Sequence, residues 1–188
     1  MENRSLVLVI LLLGLGLVIQ VSGQSNSFKS VGVEIQAYPA GAIFGIRSDL
    51  SFSNHLSGNL RLGYNLARRR DLGEHDDERG GGLGGSLGAR YFFKEDFHGF
   101  FLGLRCDLWL LDIDWVTERP GDEDLTGTSD ITVLQPMAEG GYTFLLGDGN
   151  WTITPKISLG YEINVKTGGE EVGEGAISLL GVSLSRRF

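Results

Sequence analysis

The sequence predicts an all-β protein, an eight-stranded antiparallel up-and-down transmembrane β-barrel, and three observations carry that expectation. Eight segments after residue 24 alternate apolar and polar residues with a period of two. No segment in that stretch repeats apolar residues every 3.6 positions over the length of a helix. The links between the segments alternate between short and long, as they do when strands run up and down across a bilayer.

Residues 1–23 read as a signal peptide that is removed, leaving a barrel domain of residues 24–188. The first four residues are short and polar, residues 6–19 are almost entirely apolar, and Val21, Ser22 and Gly23 offer the small side chains a signal peptidase reads. The apolar run stops at Gln20, short of the roughly 20 residues a spanning helix needs.

The expected strands are residues 30–38, 43–52, 56–67, 83–93, 99–111, 132–146, 151–165 and 176–188. In the first, Val31, Val33, Ile35 and Ala37 share one face, and Gly32, Glu34, Gln36 and Tyr38 the other. The second sets Phe44, Ile46, Leu50 and Phe52 against Gly45, Arg47, Asp49 and Ser51. The third opposes Leu60, Leu62, Tyr64 and Leu66 to Asn59, Arg61, Gly63 and Asn65; the fourth opposes Leu87, Ala89, Tyr91 and Phe93 to Ser86, Gly88, Arg90 and Phe92. In the fifth, Phe100, Leu102, Leu104, Cys106 and Leu108 lie opposite Gly103, Arg105, Asp107 and Trp109. The sixth is less regular, with Leu134, Ala138, Tyr142 and Phe144 against Gln135, Glu139, Gly141 and Thr143. The seventh sets Ile153, Ile157, Leu159, Tyr161 and Ile163 against Thr154, Lys156, Ser158, Gly160 and Glu162. The last alternates Leu180, Val182 and Leu184 with Gly181, Ser183 and Ser185, and finishes on Phe188.

One face therefore collects Glu34, Asp49, Asp107, Glu139 and Glu162 with Arg47, Arg61, Arg90, Arg105, Lys156 and Arg187. Near-balance of sign is what an enclosed polar core requires, because a buried charge is tolerated only when paired and hydrogen-bonded. These residues are expected to form a charge network in the lumen, with the apolar face toward lipid. An eight-stranded barrel has an interior just wide enough for side chains to fill, so a polar plug is expected in place of a general pore.

Connections 68–82, 117–131 and 166–175 are long, Gly-rich and acidic, and hold most of the chain's net charge of -8. Only Pro39-Ala40-Gly41 breaks the alternation by being short on the same side. The acidic balance argues against nucleic acid, which attracts clustered Lys and Arg. A single cysteine, Cys106, excludes an intramolecular disulfide or a zinc cluster. Closure of the sheet would supply the stability that disulfides do not.

The signal peptide, the eight alternating segments, the asymmetry of turns and loops, and the terminal pattern Leu180, Val182, Leu184, Phe188 together resemble the small outer-membrane barrels of Gram-negative bacteria. That group includes the OmpA transmembrane domain, OmpX and OmpW. The resemblance implies an outer-membrane location, contact with outer-membrane lipids and lipopolysaccharide, and a last strand paired to the first. It also implies that the barrel-assembly machinery reads Leu180, Val182, Leu184 and Phe188. Arg186 departs from the pattern at a lipid-facing position, where it can snorkel at the interface.

Nothing points to catalysis or a cofactor. His55 and His98 fall in expected periplasmic turns, His75 falls in a long loop, and no Ser and acid flank them at a nucleophile–base spacing. Gly80, Gly82 and Gly85 match the letters of a dinucleotide motif but precede a strand, so they read as a flexible loop end. The acidic loops carry oxygen ligands suited to calcium, but their spacing fits no EF-hand, so they read as a solvated surface. The run Arg68-Arg69-Arg70 is suited to lipid phosphates. A structural or surface-interaction role leads. A narrow channel for a small solute is the alternative, and a soluble lipocalin-like barrel, with the two faces inverted, is the second.

Overall fold

A computed structural model describes residues 29–70 and 72–188; the expected signal peptide lies outside them. The strands are β1 (Lys29–Tyr38), β2 (Gly41–Ser51), β3 (Leu56–Arg70), β4 (Asp77–Phe92), β5 (Gly99–Thr117), β6 (Leu125–Leu146), β7 (Trp151–Gly168) and β8 (Gly175–Arg187). Each pairs antiparallel with the next, and β8 returns to β1 to close the barrel. The closing seam runs from Ser30 opposite Arg187 to Ala37 opposite Leu180, and the Phe188 amide donates to the Lys29 carbonyl at 2.8 Å. The carboxyl terminus is thereby zipped to the first strand, with its ring exposed on the outer face.

The two faces divide by chemistry in one direction only. Leu104, Leu83 and Ile46 are 70%, 68% and 65% exposed, whereas Glu34, Arg61 and Asp107 are 2%, 1% and 0% exposed. A lipocalin-like barrel would reverse this, so the soluble alternative is overturned by the side-chain placement. A closed sheet with an oily exterior and every strand paired meets the demand that a bilayer makes on backbone polar groups. Cys106 is exposed on the same face as Leu104. It is therefore expected to resist a water-soluble maleimide in intact membranes and to react after denaturation; ready labelling beforehand would place it in water.

Strands on the long-loop side run further than the sequence predicts. β3 reaches Arg70, β4 begins at Asp77, β5 reaches Thr117 and β6 begins at Leu125. The physical reason is visible on β5. Its outward residues are apolar from Phe100 to Leu110 and then become Asp112 and Asp114, while its inward residues turn from Arg105 and Asp107 to Trp109, Leu111, Ile113 and Trp115. Above the lipid belt the outward residues of β5 meet water and its inward residues are apolar, so the alternation inverts while the strand continues. A search for one constant apolar face stops at that inversion.

This inversion also corrects two expectations. The lumen is not polar throughout, because Ile43, Trp109, Leu111, Ile113, Trp115, Ile131, Val133, Met137 and Leu179 pack as an apolar core toward the long-loop end, beside the buried Arg69, Glu78 and Glu162. Gly80, Gly82 and Gly85 belong to β4, not to a loop end. Nearby, Gly84 faces the lumen where a Cβ would lie 2.3 Å from the Trp109 ring, so the absence of a side chain on β4 is what gives the indole its place.

Candidate functional site in the barrel lumen

Period-two alternation aims one set of side chains from every strand at a common axis, and β1 to β7 each contribute charge to it. Glu34 on β1 is the hub. It accepts from Arg47 on β2 at 3.0 Å, Arg61 on β3 at 2.8 Å, Lys156 on β7 at 2.6 Å and the Gln36 amide at 2.9 Å. Glu139 on β6 is the second hub, accepting from Arg90 at 2.5 Å and from Arg105 and Lys156 at 3.3 Å each. Asp107 joins them, 2.8 Å from Arg61 and 3.1 Å from Arg105. Below, Asp49 binds Arg47 and accepts from the Ser30 hydroxyl at 2.9 Å.

Lys156 thus bridges two carboxylates that reach in from non-adjacent strands. β8 supplies no charge here but makes room: a Cβ at Gly181 would lie 2.9 Å from Gln36 Cγ and 3.4 Å from Lys156 Cε. Above the hubs, Gln135 accepts from the Trp109 indole and donates to Glu162, at 3.0 Å each. Glu162 pairs with Arg69, and Arg69 reaches Glu78 at 3.1 Å. The Glu78 carboxylate also accepts from the backbone amides of Glu74 at 2.8 Å and Gly173 at 3.2 Å, tying two outer loops together. Among the described residues the buried acids Glu34, Asp49, Glu78, Asp107, Glu139 and Glu162 match the buried bases Arg47, Arg61, Arg69, Arg90, Arg105 and Lys156 one for one.

Ten of the residues expected in this network, Glu34, Arg47, Asp49, Arg61, Arg90, Arg105, Asp107, Glu139, Lys156 and Glu162, are buried in the lumen. Arg187 is set apart. It is half-buried at the short-turn rim and donates to the Asp96 carbonyl at 2.9 Å, buttressing the one-turn 3-10 helix Glu95–Phe97. Sequence reasoning missed Arg69 and Glu78 by placing them in a loop. Their signal was parity, since Arg69 continues the inward series Asn65, Ala67 and stands opposite Glu78 in the ladder.

Aromatic packing seals the short-turn end. Phe92 lies 5.5 Å from Phe97 and 5.4 Å from Phe101, and the Arg90 guanidinium sits 4.3 Å over the Phe101 ring. Between this seal and the Arg47–Asp49 pair lies a cavity of about 20 Å³, room for about one water. The histidines lie elsewhere: His55 contacts the Phe92 carbonyl at 2.8 Å in a turn, His98 follows the 3-10 helix, and His75 stacks on Trp115 at 4.2 Å. Among the described residues no three potential metal ligands converge.

Solved structures share this architecture. Neisserial surface protein A is 12% identical, with 87% of this chain and 98% of that chain covered and a TM-score of 0.50. The N-terminal β-barrel domain of Pseudomonas aeruginosa OprF is 16% identical over 86% of this chain and 98% of that one, with a TM-score of 0.46. Ail, the attachment invasion locus protein of Yersinia pestis, is 11% identical over 86% and 97%, with a TM-score of 0.49. At such identities the likeness is one of fold. No curated protein matches the sequence. The model of one protein family matches residues 7–168, and the chain belongs to that family, described as Protein of unknown function (DUF3575).

Proposed function

We propose that this chain is an integral outer-membrane β-barrel of a Gram-negative bacterium, exported by a signal peptide that is removed, with a plugged lumen and a structural or surface-interaction role. The single observation that carries the plugged reading is Lys156, whose ammonium spans Glu34 and Glu139 inside a barrel filled above by apolar side chains and below by phenylalanines. A hydrated path would have to separate desolvated ion pairs and then cross an oily layer. Work at the surface then falls to the lipid-facing wall and the outer loops. Leu180, Val182, Leu184 and Phe188 share the outer face of β8 and form the signal for the barrel-assembly machinery, with the Arg186 guanidinium 5.4 Å from the Phe188 ring at the interface. No catalytic constellation is assigned.

Purified protein in planar lipid bilayers tests this reading. No stepped conductance is expected in symmetric salt; discrete, reproducible openings would favour the narrow-channel alternative and sink the plugged barrel.

A further inference from the structure

Three arginines at the outer end of the β3–β4 hairpin have different fates. Arg69 points inward to Glu78 and Glu162. Arg68 and Arg70 point outward and are exposed, and among the described residues neither forms an ion pair. Arg68 stands directly opposite Arg79 of β4, a like-charge pairing that destabilises a ladder unless an anion relieves it. Arg79 has one such anion in Asp77, at 2.8 Å, and faces Asp114 across its other seam. Arg68 has none. β2 begins at Gly41, opposite Ala67, and the Arg68 amide still donates to the Ala40 carbonyl at 2.7 Å, so Arg68 and Arg70 stand at and above the shelf formed by the short β1–β2 turn.

What lies beneath that shelf indicates what would occupy it. Going down the outward face, Leu66 is followed by Tyr64, whose ring lies across Gly81, and then by Leu62 and Leu83. From membrane to water the outward order on β3 is Leu62, Tyr64, Leu66 and then Arg68 and Arg70, so the apolar face runs directly up to the guanidinium groups. A lipid likewise carries its acyl chain directly beneath a charged headgroup. Guanidinium groups bind phosphate with charge-assisted hydrogen bonds in a matching planar geometry.

We propose that Arg68 and Arg70 form a headgroup site for a phosphate-bearing lipid of the outer leaflet, with its acyl chain along Leu66 and Tyr64. The inference rests on the membrane-barrel reading. Arg68 supplies the contact nearest the belt and Arg70 the second, while Arg79 is held by Asp77.

The test inserts full-length processed protein into phosphatidylcholine nanodiscs and measures retention of lipid A carrying its phosphates against the dephosphorylated form. Wild type is expected to prefer the phosphorylated lipid. R68Q/R70Q is expected to lose about tenfold or more in affinity, as two charge-assisted contacts are removed, while R119Q in the β5–β6 loop binds as wild type. Equal retention of the two lipids, or of one lipid by wild type and R68Q/R70Q, overturns the site and leaves the barrel standing. Inorganic phosphate competing at micromolar concentration would overturn the lipid assignment in favour of a soluble anion. Failure of the wild type to enter the bilayer overturns the barrel reading and the headgroup site together.

Discussion

Replacing Glu34 by alanine is expected to lower the stability of the folded barrel in lipid by about 3–5 kcal/mol, the cost of leaving buried charges without their partner. Arg47 and Arg61 would keep Asp49 and Asp107 respectively, but Lys156 would keep only Glu139, at 3.3 Å. The excess positive charge would sit where water cannot screen it. Urea unfolding of the vesicle-reconstituted protein, followed through the emission of its three tryptophans, gives the number. Glu34→Gln with Lys156→Met should recover part of the loss, because the orphaned ammonium leaves together with its acceptor. A change below about 1 kcal/mol in E34A would mean that the lumen is hydrated enough to screen its charges.

Leu104→Arg tests the other face. Leu104 stands midway along the apolar outward run of β5, between Phe100 and Leu110, and is 70% exposed. Arginine at the bilayer midplane of a barrel costs about 2–4 kcal/mol, falling to about 0–1 kcal/mol near an interface. L104R is therefore expected to destabilise the reconstituted barrel by that larger amount, and F100R at the short-turn edge by the smaller one. In a water-soluble barrel the same surface substitution would improve solubility and leave stability nearly unchanged. The size of the L104R effect thus separates a lipid-facing wall from a hydrated one.

The fold was legible because the lipid belt enforces one rule on every strand: outward apolar, inward small or polar. That rule placed Glu34, Arg61 and Asp107 on the inner face and Leu104 on the outer face without knowledge of any partner. It failed where its cause stops. Asp112 and Asp114 face water above the belt, while Ile113 and Trp115 turn inward, so the same strand reads with opposite polarity. Arg69 and Glu78 were hidden for the same reason, as strand residues beyond the last lipid-facing position. Which carboxylate would serve as hub was not legible at all. The convergence of Arg47, Arg61 and Lys156 on Glu34 depends on the stagger of the ladders, set by how β8 meets β1.

The uneven strand lengths give the molecule a direction as well as a height. β1 has 10 residues and β6 has 22, contour lengths of about 33 Å and about 70 Å at the rise of an extended chain. The β5–β6 hairpin consequently stands as a parapet on one flank, while the β1–β2 turn is a low sill on the other. A bulky visitor from the medium, such as an antibody, touches the acidic crest first. Molecules sliding in the leaflet reach the sill instead, where Arg68 and Arg70 wait.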